Sequence, residues 1–430
     1  MGKEVSVGLL GLGVVGSGVQ QIINEHQEEL THQLGCQVKI EKVLVRDLEK
    51  AKKSGTDEAL LTTDSHDLLN NDKIDVVVEV MGGIDTAYTY IKEALMNKKH
   101  VVTANKDLIA LHGPELESIA RENGCDLMYE ASVGGGIPLL RPLLDGLVSD
   151  RINQVMGIVN GTTNYILTKM DKEGQSYDDA LQKAQELGFA EADPTADVEG
   201  LDAARKMVIL ARLSFFTNVS LDDVEVNGIS TLDLKDIEYG NKLGLTMKLI
   251  GFANRQGQKV EISVQPTFLS DTHPLASVNN EYNAVYVRGE AVGETMFYGP
   301  GAGSLPTATA VMSDVVQVIK NKLLGVNGQN FIDARFEKEI TPEAERYSQF
   351  YLRLSVKDEL GAFASISDLF NQEGISFERI SQTPHNGGLA EIVVVTHNTS
   401  LENFKNTLNK LNDLSVVQTV ESYFRVEGDE

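Results

Sequence analysis

This 430-residue chain has very little cysteine: Cys36 and Cys125 are its only two. Two thiols cannot build a disulfide framework, and neither has metal-ligand spacing or a catalytic-thiol motif around it. Basic residues are also short, 38 against 63 acids, leaving a formal net charge of -25. That balance argues against nonspecific binding to nucleic acid or to an anionic membrane. No apolar run reaches the roughly 20 residues of a membrane span, and because a strand is expected from the first residues on, no leader is expected before it. The eight histidines show no metal-ligand pairing. The expectation is a cytoplasmic globular protein of two or three domains, since domains average about 100–150 residues.

What is present begins with glycine. A buried strand from Val5 runs into Gly11-Leu12-Gly13-Val14-Val15-Gly16 and then a helical run, Ser17 to about Leu30. Between strand and helix, that spacing suits a tight turn, close backbone approach to a pyrophosphate, and a helix N-terminus aimed at the anion. The second strand, Val38–Val45, ends at Arg46, where NAD-preferring proteins usually carry an acid for the ribose hydroxyls. Arg46, with Lys50 nearby, suits a 2′-phosphate and favours NADP(H) over NAD(H); Asp47, one residue on, keeps NAD open. A strand at Ile74–Val80 and another at His100–Ala104 follow, the second delivering Asn105-Lys106 at its C-terminal end. In a doubly wound sheet that end faces the ligand, so Lys106 is a candidate for touching nicotinamide or substrate. The three glycines of Ala131–Pro138 expose main-chain groups suited to substrate or a weakly held monovalent cation, or serve as a hinge.

The chemistry is placed in the stretch 188–210. Pro194 and Gly200 bracket an acidic turn, and a helix runs from about Leu201 through Leu213. Asp202 and Lys206 lie four residues apart on it, sharing a face with Ala203, Ile209 and Leu210. A carboxylate and apolar neighbours around one amine are the setting a proton-donating lysine needs. The plainer alternative is an exposed surface ion pair worth ~0.3–0.5 kcal/mol. Before it, Asn160-Gly-Thr-Thr-Asn reads as a capped helix start, and Ser176 to Leu187 as a second helix. His273 reads as a turn residue. Strands are expected at Ile152–Gly157, Val260–Val264, Ala284–Arg288 and Glu294–Tyr298, forming a mixed or antiparallel sheet, and an apolar-periodic helix over Thr307–Leu324.

From about residue 4 to 325 the chain resembles homoserine dehydrogenase. The resemblance rests on the Gly11–Gly16 loop, Ala104-Asn105-Lys106, Glu130 through Pro138, Asn160-Gly-Thr-Thr-Asn, Glu191-x-Asp-Pro through Lys206, and Gly299 to Ala308. It implies interconversion of L-homoserine and L-aspartate 4-semialdehyde with NAD(P). On that likeness Lys206 is the proton donor and Lys106 lies at nicotinamide and substrate. Glu191 and Asp202, with Asp197 close by, hold the substrate, and Gly188 and Gly303 approach the cofactor. A monovalent cation (Na+ or K+) is implied at Glu130, Val133, Gly135 and Ile137. The middle sheet is implied to carry the dimer contact, giving a homodimer or homotetramer. Rivals stay open: a reductase of the same fold acting on another aldehyde or keto acid, or a sensor that only binds.

Beyond a polar linker at 331–347, the tail reads β-α-β-β-α-β, with Phe363, Ile366 and Phe370 on one helix face. With the Asp358-x-x-Gly361 turn this looks like an ACT domain, which in such dehydrogenases implies L-threonine as effector; a structural or dimerising tail is the alternative. His385-Asn-Gly-Gly reads as a hairpin turn. The expected architecture is α/β throughout: a Rossmann-like doubly wound nucleotide-binding domain (1–133, completed by a 305–325 helix), an α+β substrate and dimerisation domain (134–304), and a ferredoxin-like ACT domain (348–430).

Overall fold

Strand β1 (Glu4–Leu10) is buried over six of its seven residues, the mark of a central parallel strand covered on both faces. The computed structural model describes residues 4–53, 55–329, 333–385 and 387–428. It divides into two units, the first being Met1–Val155, Arg205–Asp223 and Asn283–Glu337. There β1 stands with β2 (Gln37–Leu44), β3 (Leu61–Thr62), β4 (Val76–Glu79), β5 (His100–Thr103) and β6 (Leu127–Met128) in the order β3-β2-β1-β4-β5-β6. Every pairing in this sheet is parallel. The order reverses beside β1, which is the switch point where such sheets take ligands.

Two cores cover the sheet. On one face Val7, Leu9 and Val78 meet Val19 and Ile23 of the helix Val14–Glu25 and Val311, Val315 and Ile319 of the helix Ser304–Leu324. The other face buries Ile91 and Leu95 of the helix Asp85–Met96, and Leu108 and Leu116 of the helix Lys106–Glu122. The single helix expected from Ser17 to Leu30 is instead two, Val14–Glu25 and Gln27–Leu34, broken at His26 (φ −106°, ψ 27°). The break turns Leu30 and Leu34 back into the same core as Ile22.

Strand β7 (Ile152–Ile158) carries the chain towards the second unit, which comprises Met156–Ala204, Val224–Tyr282 and Lys338–Glu430. Its elements are β8 (Glu225–Val226), β9 (Leu245–Gln256) and β10 (Lys259–Ser270), then, after β11 (Tyr282–Gly289) and β12 (Gly293–Pro300), β13 (Glu339–Ile340) and β14 (Tyr347–Lys357). Strands β15 (Phe377–His385), β16 (Leu389–Thr396), β17 (Thr399–Ser400) and β18 (Val417–Glu427) complete it. They run β9-β10-β18-β14-β16-β15, so the tail's sheet continues the middle one through β10 and β18, paired in parallel from Thr267 opposite Arg425. The neighbouring pairs β9–β10, β14–β18 and β14–β16 are antiparallel, making the sheet mixed.

The expected strands omit β9, a twelve-residue strand. Its first nine residues are all buried, so no polar alternation marks it. The tail has its expected β-α-β-β-α-β order, with helices Ala362–Gln372 and Leu401–Leu411. Ile366 and Phe370 are buried there, and Phe363 packs against the same core. Ile340–Arg346, read as polar linker, is instead pinned. β13 pairs with β10, and Lys259 and Lys405 hold Glu345 and Glu343 at 2.5 and 2.6 Å. Residues 331–332 of that linker, and Asn386 of the expected hairpin turn, lie outside the described residues.

Candidate functional site

The glycine loop is shaped by close approach. A Cβ on Gly16 would stand 2.3 Å from the Gly11 carbonyl oxygen, and Gly11 adopts φ +102°, with its own Cβ position 2.9 Å from the Val80 carbonyl oxygen. Both positions therefore demand glycine. Gly13 caps the helix Val14–Glu25, and nothing lies within 4 Å of its Cβ position. No acid occupies that helix's first turn, so its N–H groups present an unopposed positive end to an anion. Leu12 and Val15 are half-buried on the core side, while Val14 is exposed. Ser304 Oγ donates to the Val14 carbonyl at 2.7 Å. That contact brings Gly303 and the N-terminus of the helix Ser304–Leu324 beside the loop. These groups fit a dinucleotide's phosphates.

Arg46 is exposed just beyond β2, while the Asp47 carboxylate accepts from the Lys50 N–H at 3.0 Å and caps the next helix. At the ends of β4 and β5, Glu79 is buried. It accepts from Thr103 Oγ1 at 2.6 Å and from the Met81 N–H at 2.8 Å. Burial raises its carboxyl above the usual range, against those hydrogen bonds. Asn105 donates to the Gly83 carbonyl at 2.6 Å and caps the helix Lys106–Glu122 through the Leu108 N–H at 3.1 Å. Lys106 is thus the first helical residue, half-buried, directly after the capping Asn105.

The Glu130–Pro138 loop packs against Gly299–Pro306: a Cβ on Gly135, at φ +54°, would lie 2.4 Å from the Gly301 carbonyl oxygen. The Glu130 carboxylate is taken up by the N–H groups of Leu139, Leu140 and Arg141, at 2.5, 2.7 and 2.8 Å. Among the described residues no cluster of three His, Cys, Asp or Glu could hold a metal ion. A cation here would therefore depend on main-chain carbonyls. A cavity of about 340 Å³ in this unit includes Glu130 in its wall, with Glu117, Tyr129, Arg141 and Arg212, but neither candidate lysine.

In the second unit Asn160 is a hub. It caps the helix Gly161–Glu173 by accepting from the Thr163 N–H at 2.9 Å, and its amide donates to Asp197 Oδ1 at 2.7 Å and Asp202 Oδ2 at 2.9 Å. Asn160 is 5% exposed and Asp202 7%. Asp202 and Lys206 lie one turn apart on the helix Leu201–Phe215, with Ala203, Ile209 and Leu210 buried and Lys206 half-buried. Glu191 and Gly188 are exposed on the segment before it. The pairing of Asn160 with two acids, and the Glu79–Thr103 bond, escaped the sequence reading: neither the Asn160 cap motif nor a glutamate ending a valine strand announces a partner tens of residues away.

Both cysteines are buried, and burial pushes the Cys125 thiol up to about 11, away from nucleophilic use. His273 caps the turn Pro274–Ser277, its Nδ1 accepting from the Leu275 N–H at 3.1 Å.

The parallel strand order and the glycine turn define a dinucleotide-binding protein. Residues 11–130 match the family described as homoserine dehydrogenase, NAD binding domain, residues 138–316 match homoserine dehydrogenase, and 350–416 match the ACT domain. The chain belongs to the homoserine dehydrogenase family; it is an oxidoreductase with a nicotinamide cofactor and a C-terminal ACT domain. It is 58% identical to the homoserine dehydrogenase of Bacillus subtilis over 99% of each chain. A homoserine dehydrogenase structure from Thiobacillus denitrificans superposes with a TM-score of 0.93 at 37% identity, over 99% of each chain. A hyperthermophilic archaeal homoserine dehydrogenase in complex with NADPH has a TM-score of 0.64 at 28% identity, covering 77% of this chain and all of that one.

Proposed function

We propose that this protein catalyses the reversible, NAD(P)H-dependent reduction of L-aspartate 4-semialdehyde to L-homoserine, under feedback control by L-threonine through its ACT domain. The full-length likeness to homoserine dehydrogenases carries the reading. When bound, the nicotinamide supplies the hydride. As the aldehyde becomes an alkoxide, Lys206 stabilises the growing negative charge and gives its proton to the substrate oxygen. Lys106, fixed at the end of β5, lies against nicotinamide and substrate. Glu191 and Asp202 take the amino or hydroxyl end of the substrate, with Asp197 close by and both aspartates oriented by the Asn160 amide. Gly188 and Gly303 leave room for the cofactor.

NADP(H) is preferred over NAD(H). Arg46, exposed just beyond β2, is available to pair with a 2′-phosphate, while the rival Asp47 carboxylate is engaged in capping. The carbonyls of Glu130, Val133, Gly135 and Ile137 would hold a Na+ or K+ ion that stiffens the loop. No helix among the described residues is long and apolar enough to cross a membrane, and the protein works in the cytoplasm as a homodimer or homotetramer.

The test is the initial rate of NADPH loss with L-aspartate 4-semialdehyde, with and without millimolar L-threonine. Rapid oxidation suppressed by threonine supports both parts. Oxidation indifferent to threonine removes the effector assignment, and no oxidation with either cofactor removes the enzyme.

A further inference from the structure

Next to each candidate lysine stands one half of an ion pair. Asp107 follows Lys106 in the first turn of the helix Lys106–Glu122, and Arg205 precedes Lys206 on the helix Leu201–Phe215. Arg205 Nε lies 3.1 Å from Asp107 Oδ1, with the two side chains 29% and 34% exposed. The Oδ1 atom itself is shielded from solvent and accepts no aligned hydrogen bond among the described residues. The guanidinium charge is therefore what compensates it. A fully exposed pair would contribute little; a carboxylate oxygen shielded from solvent that loses a neighbouring counter-charge is costly.

A second tie runs parallel to the first. Arg212, seven residues on and so on the same helix face, donates Nη1 to the Ile109 carbonyl at 3.1 Å and Nη2 to the Ala110 carbonyl at 2.8 Å. The two helices are laced at both points, and each lysine is one residue from the lace at the end nearest the β5 terminus. Successive residues of a helix differ by about 100° in direction, so the pair holds the backbones while leaving the amines aimed elsewhere. The Asn105 cap and the Glu79 network fix one helix to the sheet. Arg205 carries that placement across to the other.

We infer that Asp107 and Arg205 are positioning residues whose ion pair sets the spacing between Lys106 and Lys206. The inference rests on the reading above for what the lysines do, but its geometry stands apart from it. Small displacements of reacting groups are expensive: about 1 Å can cost on the order of 100-fold in rate.

The experiment compares Arg205→Ala, Arg205→Lys, Asp107→Asn and the charge-swapped Asp107→Arg/Arg205→Asp double variant with the unsubstituted protein. For Arg205→Ala and Asp107→Asn we expect kcat for homoserine oxidation to fall about 10- to 100-fold, with NADPH affinity within about twofold and a larger deuterium isotope effect on hydride transfer. Arg205→Lys and the double variant should recover most of that loss. A purely structural pair would lower the melting temperature and leave kcat per folded molecule and the isotope effect alone; that result overturns the inference. If the unsubstituted protein does not oxidise homoserine, the enzymatic reading falls instead. Pulsed reductive methylation of Lys106 and Lys206, read by mass spectrometry, then decides. Altered labelling of both lysines in Arg205→Ala supports the positioning role, and unchanged labelling overturns it.

Discussion

Asn160 holds Asp202: the amide nitrogen of the one is 2.9 Å from Oδ2 of the other, and the same nitrogen is 2.7 Å from Asp197 Oδ1. The amide oxygen is occupied too, by the Thr163 N–H and hydroxyl. One side chain thus orients two carboxylates that would otherwise repel. Asn160→Ala should raise the KM for homoserine more than it lowers kcat, for a loss in kcat/KM of about 10- to 100-fold, the worth of one or two charge-assisted hydrogen bonds. Asn160→Asp, which adds a third carboxylate, should be worse. Steady-state kinetics on the two variants decides; a KM unmoved by either would remove Asn160 from substrate binding.

Lys206→Met keeps the apolar stem and removes the proton. NADPH binding, followed by fluorescence titration, should be unchanged, and turnover should fall by about 100- to 10,000-fold, the usual contribution of general acid catalysis. Turnover at the unsubstituted rate would refute its role.

Arg46→Asp should reverse the nucleotide preference. A charge-assisted hydrogen bond to a 2′-phosphate is worth about 1.5–3 kcal/mol, so the KM for NADPH should rise at least tenfold while that for NADH falls or holds. Equal effects on the two nucleotides would mean that Arg46 does not meet the phosphate.

Asp314 ties the Glu130–Arg141 segment to the helix Ser304–Leu324, accepting from the Glu130 N–H at 2.8 Å and pairing with Arg141 at 2.6 Å. Burial outweighs those partners and pushes its carboxyl up from 3.8 to about 7. A carboxyl raised on folding stabilises the protein fully below its unfolded value, and that contribution is lost as pH climbs through the folded one. Between about pH 4 and 7 the melting temperature of the unsubstituted protein should therefore fall relative to that of Asp314→Asn. A gap that does not vary over that window would contradict the shift.

Arg353 is 3% exposed on β14 and binds Asp236 Oδ1 at 2.6 Å, Asp233 at 3.0 Å and Glu391 at 3.3 Å. Asp236, 1% exposed, also accepts from Tyr351 and Ser422. Arg353→Ala leaves that carboxylate buried without its cation and should cost about 3–5 kcal/mol in urea unfolding. Pairing Arg353→Met with Asp236→Leu should recover much of it. A loss below about 1 kcal/mol would show that water reaches Asp236.

What could be read from the sequence is what a few neighbouring residues decide among themselves. The Gly11–Gly16 turn, the Asn160 and Ser176 caps and the Asp202–Lys206 spacing are each complete within one or two helical turns, because dihedral preference and helix period act over that range. Thr103 and Glu79 are 24 residues apart, Asn160 and Asp202 are 42, and β18 pairs with β10 across more than 150 residues of chain, Thr267 opposite Arg425. Those partners are chosen by which strand ends and helix faces the core brings together. A buried hydrogen bond or ion pair leaves no periodic trace, since its two halves obey the local rules of two different elements. The same holds for β9, whose burial on both faces erased the alternation that would have announced it. The sequence alone therefore settled the kind of chemistry. Only the tertiary structure decided which distant side chains meet around Asp202 and at the ends of β4 and β5.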